Sequence, residues 1–116
     1  MNIASKKLNS FKDLNVWQKA EDLAVVIYSA TEKLPAPELY GLTNQMRRAV
    51  VSISSNIAEG FKRAHRKEKA QFYSVAHASA AELESQIEIS RRLGFLADFD
   101  YRKCLAVLAT ILRYDS

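Results

Sequence analysis

The chain has 116 residues, of which 48% are hydrophobic, and its 17 basic and 13 acidic side chains give a formal net charge of +4. This length supports one domain with one modest core. Only 3 Gly and 2 Pro are present, which argues against a β protein with many turns. No apolar run approaches the roughly 20 residues of a membrane span, and the N-terminus lacks the apolar segment of a secretory signal. The single cysteine, Cys104, excludes an internal disulfide, predicts a cytoplasmic location and lies among core-type neighbours.

The first predicted helix starts near Asn15, after a polar tail over residues 1–10 that we expect to be flexible. Phe11 is predicted to dock the start of the domain on the core. Mostly apolar side chains then recur at three- and four-residue steps, the spacing of a helix with one buried face: Val16, Ala20, Leu23, Ile27, Thr31 and Leu34. Pro35 and Pro37 are expected to end this helix.

The second predicted helix runs over residues 42–58. Its apolar seam is Met46, Val50, Ile53 and Ile57. Gly60 is expected to follow in the left-handed backbone conformation that often ends a helix. Residues 61–66 are then the predicted connector to the third helix.

The third predicted helix covers residues 66–93 and is ended by Gly94. Its seam is Phe72, Ala76, Ser79, Leu83, Ile87 and Ser90. The fourth starts after Asp98, whose charge suits a helix N-terminus, and continues to Leu112. Four helices with three short connections predict an all-α, antiparallel up-down-up-down four-helix bundle over residues 11–116.

Positive charge is concentrated where the second and third predicted helices meet. The segment 44–69 holds 7 bases and 2 acids, a net charge of +5 against +4 for the whole chain. Such a cluster attracts phosphate, but it is also compatible with a solvated helix end. Three nearby aromatic residues would offer stacking faces for looped or single-stranded RNA: Phe61, Phe72 and Tyr73. Phe72 also lies on the predicted core seam of the third helix. The predicted nucleic-acid contacts are Arg47, Lys62, Arg63, Arg66, Lys67 and Lys69.

A polar stripe on the second predicted helix is the other candidate site. Its members either face solvent or form a polar contact between helices, within the bundle or between subunits. Glu59 is unusual, because an exposed acid near a helix C-terminus is disfavoured by about 0.3–1 kcal/mol. We expect an Arg from a neighbouring helix or subunit to pair with it. The predicted oligomer contacts are Arg48, Ser52, Asn56 and Glu59.

No pattern of catalytic or metal-binding residues emerges from the sequence. The serines of the second helix have no positioned base. The acids of the third helix lack the Glu-x-x-His pairs of di-iron bundles, and two of them are expected to face solvent: Glu84 and Glu88. The two histidines have no further ligands at metal-site spacing: His65 and His77. We therefore expect no enzymatic activity, no cofactor and no metal.

Three segments occur in a specific order and spacing: FKDLNVWQKA over residues 11–20, ELYGLTNQMRRA over 38–49 and SISSNIAEG over 52–60. With these segments the chain resembles the bacterial four-helix-bundle family of 23S rRNA intervening-sequence proteins, over residues 11–112. The pair His65-Arg66 departs from the small polar helix cap that is frequent in the family. The third helix is therefore expected to begin less sharply.

The resemblance implies a four-helix bundle that assembles as a homopentamer. Some members of this family are encoded within insertions in large-subunit ribosomal RNA genes, and many have no assigned role. The similar accessory variability proteins of diversity-generating retroelements form basic rings that bind a reverse transcriptase and nucleic acid. The residues of this chain that match the family motif are Arg48, Ser52, Asn56, Glu59 and Gly60.

Two functions remain open from the sequence. The first is a non-enzymatic homo-oligomer that binds RNA or DNA, with RNA preferred. The alternative is a protein–protein adaptor that docks an acidic protein partner and has no nucleic-acid ligand. Phosphate binding would weaken with salt and show little sequence preference, which separates the two hypotheses. Neither involves a membrane.

Overall fold

The computed structural model describes residues 8–113, which form four α-helices and two short 3-10 helices. No strand is present within these residues, so the predicted all-α four-helix architecture is confirmed. Residues 1–7 of the predicted tail lie outside the described part. The α-helices are α1 (Asn15–Thr31), α2 (Leu42–Lys62), α3 (Arg66–Arg92) and α4 (Asp98–Leu112), and the 3-10 helices are Phe11–Asp13 and Ala36–Tyr40.

One continuous core joins the four helices. It includes fully buried side chains from all four helices: Leu23, Ile27, Met46, Ile53, Leu83, Ile87 and Leu108. Cys104 is also fully buried, as predicted. Burial raises the pKa of its thiol to about 11, so the thiol stays protonated at neutral pH and packs as a small apolar group.

Helices α2 and α3 run in opposite directions. Near the start of α2, Met46 accepts a hydrogen bond from Ser90, near the end of α3, at 3.5 Å. Further along α2, the hydroxyls of Ser52 and Ser79 are 2.9 Å apart. The sequence separation between contacting residues therefore shrinks along α2, as it must in an antiparallel pair. The up-down-up-down course predicted for all four helices is consistent with these contacts.

Gly60 does not end α2, which corrects the sequence prediction. The helix continues to Lys62, and Gly94 is the one glycine of the described residues with a positive φ. A Cβ at Gly60 would lie 2.5 Å from the Tyr73 ring, so the position needs glycine for close packing. A glycine required for packing and a glycine that ends a helix look alike in sequence. The connector is accordingly shorter than predicted and spans residues 63–65.

The other boundaries lie close to their predicted positions. Gly94, with a φ of 78°, follows the end of α3. His65 offers no side-chain hydrogen bond to the start of α3, in line with its departure from the family's usual cap. Ser10, assigned to the flexible tail from sequence, instead caps the first 3-10 helix, where its hydroxyl accepts a hydrogen bond from the Lys12 amide at 3.2 Å. The ordered domain therefore begins before Phe11.

The contacts distinguish two ends of the bundle. Lys33, in the α1–α2 connection, forms an ion pair with Asp100, in the first turn of α4, at 3.1 Å. One end thus carries the α1–α2 and α3–α4 connections. The opposite end carries the α2–α3 connection and the first 3-10 helix, because the Lys62 ammonium lies 5.7 Å from the centre of the Phe11 ring.

Candidate nucleic-acid interface

The α2–α3 connection gathers most of the predicted nucleic-acid contacts at one end of the bundle. Only three residues separate the two helices, so the last turn of α2 lies next to the first turn of α3. We call this surface the basic end and define it by Lys62, Arg63, Arg66, Lys67 and Lys69.

Two of these bases are held by other groups of the chain. The Lys69 ammonium donates hydrogen bonds to the main-chain oxygens of Gly60 and Phe61, at 3.1 and 2.8 Å. These carbonyls lie in the last turn of α2, where a cation is favoured by the helix dipole. Arg63 donates to the Glu59 carboxylate at 2.9 Å, and its guanidinium lies 4.7 Å from the centre of the Phe72 ring. The side chains of Lys69 and Arg63 therefore make stabilising contacts within the chain.

Three predicted bases remain exposed at the basic end, namely Lys62, Arg66 and Lys67. None of them forms an ion pair with an acid of residues 8–113. Lys12 is also exposed and belongs with them, since its neighbour Phe11 lies beneath Lys62. Lys12 was not among the nucleic-acid contacts predicted from the sequence, although the predicted docking of its neighbour Phe11 was a signal that could have placed it here.

Arg47 lies outside the basic end. Its side chain donates hydrogen bonds to the Thr31 hydroxyl at 2.9 Å and to the Tyr28 main-chain oxygen at 3.3 Å. Its guanidinium also lies 4.6 Å from the centre of the Tyr28 ring. Along α2, Arg47 is about 22 Å from Lys62 at 1.5 Å per residue. Arg47 thus joins α2 to α1 instead of extending the cluster.

The aromatic rings of the basic end are partly covered. Phe61, Phe72 and Tyr73 are all half-buried. The Lys69 ammonium lies 5.6 Å from the centre of the Phe61 ring, and the Arg63 guanidinium lies 4.7 Å from the centre of the Phe72 ring. Tyr73 packs against Gly60, and burial raises the pKa of its hydroxyl above the usual value. The stacking faces expected here from sequence already carry cations of the same chain or are packed.

The polar stripe of α2 makes hydrogen bonds within the bundle. Ser52 meets Ser79 of α3 through their hydroxyls. Asn56 donates to the main-chain oxygen and to the hydroxyl of Ser52, at 2.8 and 3.1 Å. Among the alternatives left open by the sequence, Ser52 therefore belongs to a polar helix–helix contact inside one chain, whereas Asn56 bonds to Ser52 within α2.

Glu59 has a different partner from the one expected. Arg63, the first residue after α2, pairs with it across four positions of sequence in the same chain. An acid four residues before a base is the favourable order in a helix. This pair was not predicted from the sequence, because α2 was expected to end at residue 58, whereas it continues to Lys62. Arg48 is exposed and forms no ion pair with an acid of the described residues.

Glu88 also departs from its predicted exposure. It is half-buried, and the Tyr101 hydroxyl lies 3.0 and 2.6 Å from its two carboxylate oxygens. The hydrogen bond to this carboxylate is the main reason that the pKa of Tyr101 is raised. Glu84 is exposed, as predicted.

Residues 8–113 lack a metal-binding cluster and a membrane-spanning helix. No group of three or more His, Cys, Asp or Glu side chains in that range is arranged to hold a metal ion. No helix in it is both long enough and apolar enough to cross a membrane.

Comparisons with known proteins concern the whole domain. The family model described as 23S rRNA-intervening sequence protein matches residues 12–114. A crystal structure of a protein with unknown function from the S23 ribosomal protein family of Bacteroides thetaiotaomicron is similar with a TM-score of 0.77. The two sequences are 22% identical, and the match covers 84% of this chain and 88% of that chain, so the likeness concerns the fold. No curated protein gives a significant match.

Proposed function

The chain belongs to the family of 23S rRNA-intervening sequence proteins, and from that premise we propose that it is a non-enzymatic homo-oligomer that binds RNA through its basic end. The observation that carries this proposal is the exposed group of bases without acidic partners in the described residues: Lys12, Lys62, Arg66 and Lys67. Clustered exposed cations bind the phosphate backbone with little regard to sequence. RNA is the polyanion that we propose, because some members of the family are encoded within insertions in ribosomal RNA genes.

Assembly would strengthen this interaction, because each copy adds its own cluster to the same RNA. The α1–α2 face supports assembly, since Val25 is 67% exposed and Val51 44% exposed. Val25 lines a surface hollow together with Tyr28 and Glu32. Exposed apolar clusters often mark protein contacts. We propose that a second copy of the chain covers this face, within the pentamer that the family resemblance implies.

The RNA proposal is tested by fluorescence anisotropy of a labelled RNA hairpin with a single-stranded tail, at low and physiological salt. We expect tight binding that weakens steeply as salt rises. The double variant Arg66→Gln/Lys67→Gln should bind less tightly and lower the salt slope by about 1–2. If the wild-type protein does not bind at low salt, the proposal is wrong and the adaptor alternative is favoured.

A matched pair of single variants separates the basic end from net charge. Arg66→Gln and Arg48→Gln each remove one exposed positive charge, but Arg48 lies about 21 Å from Lys62 along α2 at 1.5 Å per residue. We expect Arg66→Gln to lower RNA affinity more than Arg48→Gln does. Equal losses would show that total charge, and not the basic end, governs binding.

The assembly proposal is tested by the mass of the protein in solution, measured by analytical ultracentrifugation. Val25→Asp should reduce the mass, because it places a charge in an apolar contact, whereas Val25→Ala should change it less. Glu59→Ala should leave the mass unchanged, because Arg63 of the same chain is its partner. A wild-type protein with the mass of one chain would contradict assembly.

A further inference from the structure

Two aromatic rings face solvent at the end of the bundle opposite the basic end. Tyr40, which ends the second 3-10 helix, is 89% exposed, and Phe99, in the first turn of α4, is 73% exposed. The ion pair between Lys33 and Asp100 joins the α1–α2 connection to the start of α4, so both rings lie at this end. We call this surface the aromatic end and define it by Tyr40, Phe99, Arg92 and Lys103.

Other rings of the described chain are more deeply packed. Tyr101 lies beneath the Arg91 guanidinium at 4.4 Å and donates its hydroxyl to Glu88. Phe11 and Trp17 pack edge to face, with ring centres 5.0 Å apart. Phe99 has the Lys103 ammonium 5.9 Å from its ring centre and remains largely exposed. Exposed rings lose the stabilisation of apolar burial, and two of them at one end of the bundle leave their π-faces accessible to a ligand.

Cations accompany these exposed rings. Two of the acids at this end are paired within the chain, since Asp98 pairs with Arg102 at 2.9 Å and Asp100 pairs with Lys33. A third, Glu38, accepts a hydrogen bond from the Leu42 main-chain amide. Arg92 and Lys103 are exposed and form no ion pair with an acid of residues 8–113. These two exposed cations are the groups of this surface that a phosphate backbone would contact.

We propose that the aromatic end binds unpaired RNA bases, with Tyr40 and Phe99 as stacking platforms and Arg92 and Lys103 as phosphate contacts. This inference rests on the proposed function in that RNA is the ligand, and it adds single-stranded segments as the substrate class. Rings that project into solvent accept any base, because every base has a π-face. The molecule is 48 Å along its longest axis, so the two ends make separate contacts.

The two ends then divide the recognition of RNA. The basic end offers cations whose neighbouring rings are half-buried, which suits the backbone of any RNA, paired or unpaired. The aromatic end offers rings that duplex RNA cannot use, because its bases are already stacked and paired. A preference for RNA with unpaired segments over fully paired RNA is the direct consequence.

The test compares a labelled single-stranded RNA with a duplex of the same length, at one salt concentration and across a salt series. Tyr40→Ala and Phe99→Ala should each lower single-strand affinity about fivefold or more, while duplex affinity and the salt slope stay unchanged. Tyr40→Phe and Phe99→Tyr keep a ring and should bind like wild type. Leu39→Ala is the matched control, since Leu39 is 49% exposed beside Tyr40 and carries no ring.

The results separate the inference from the proposed function. If the wild-type protein binds RNA and both alanine variants bind the single strand equally well, stacking at the aromatic end is overturned and the basic end stands. The inference is also overturned if the alanine variants lose duplex and single-strand affinity equally. A wild-type protein that binds neither RNA overturns both proposals. Circular dichroism of each variant checks the fold.

Discussion

At the basic end, the rings of Phe61 and Phe72 are half-buried beneath Lys69 and Arg63. At the aromatic end, Tyr40 is 89% exposed, and Phe99 stays 73% exposed although Lys103 lies 5.9 Å from its ring centre. Both ends combine bases with aromatic residues. The difference is packing, because the rings of the basic end are half-buried against the α2–α3 junction. Proximity of basic and aromatic residues therefore does not by itself create a stacking surface for RNA.

The glycines of the two ends show a parallel contrast. Gly60 lies inside α2 and is needed because the Tyr73 ring approaches its backbone. Gly94 lies in the α3–α4 connection, has a φ of 78°, and has no atom within 4 Å of the position that a Cβ would occupy. Gly60 is needed for close packing, and Gly94 is needed for its backbone conformation. Substitutions at these two positions test the two explanations separately.

The largest effect is expected for Gly60→Val. The Cβ would lie 2.5 Å from the Tyr73 ring, and the added methyl groups extend the clash. We expect the free energy of unfolding, measured by urea denaturation, to fall by about 2–3 kcal/mol. Introduced into a Tyr73→Ala background, the same substitution should cost less, because the ring is gone. An equal cost in both backgrounds would rule out Tyr73 as the reason for glycine.

At the opposite end, Gly94→Ala should lower the free energy of unfolding by about 1–2 kcal/mol, because the left-handed backbone strains an L side chain. No steric clash contributes, since the space around the Cβ is open. Gly94→Asn should cost less than Gly94→Ala, as asparagine tolerates this conformation. Urea denaturation of both variants measures the difference, and a larger cost for asparagine would contradict the conformational explanation.

Lys69→Met is expected to destabilise the basic end by about 1 kcal/mol, because two carbonyls in the last turn of α2 lose a charged donor. Methionine keeps an apolar stem of similar length, so the change reports mainly on the ammonium. Lys67→Met is the control, since Lys67 is exposed, and its effect should stay within about 0.5 kcal/mol. Thermal unfolding should therefore rank Lys69→Met below Lys67→Met, and similar values would remove the capping role of Lys69.

The smallest effect concerns two tyrosines whose pKa values are raised for different reasons. Glu88→Gln should lower the pKa of Tyr101 toward its usual value, because the hydrogen bond to the Glu88 carboxylate is the main cause of the shift. The pKa of Tyr73 should not change, since burial raises it. An ultraviolet titration of each variant distinguishes the two hydroxyls. Glu84→Gln is the control, and a Tyr101 pKa that responds equally to both substitutions would contradict the assignment.

The same shift has a consequence for stability. The pKa of Tyr101 is higher in the folded protein than its usual value, so the folded state retains the proton more strongly. The stabilisation is complete below the unfolded pKa and is lost as the pH rises through the folded pKa. Glu88→Gln should therefore reduce the loss of stability on the alkaline side.

Most of the fold could be predicted from sequence because its signals are local. The apolar steps through Leu23 and Ile27, and through Leu83 and Ile87, identified buried faces that the structure confirms. The end of α2 could not be predicted in the same way. Gly60 resembles a terminating glycine, and only the position of Tyr73, on another helix, shows that its role is packing.

The candidate site was less predictable than the fold. The concentration of bases between residues 44 and 69 is visible in the sequence, but the partners of those bases are not. Lys69 caps the helix before it, Arg63 pairs with Glu59, and Arg47 contacts α1. Tyr40 and Phe99 were not predicted as contacts from the sequence, because the exposure of a ring depends on how the connections between helices pack against the bundle.

The order of the residues was sufficient to specify four helices, their buried faces and the family, because helical spacing and turn residues act over a few positions. Only the tertiary structure decided which cations remain available and which rings stay exposed. Those properties depend on groups that meet across helices, as Lys33 and Asp100 do over 67 positions of sequence. The clustering of bases is a local property of the sequence, whereas the accessibility of each base and ring depends on how the helices pack.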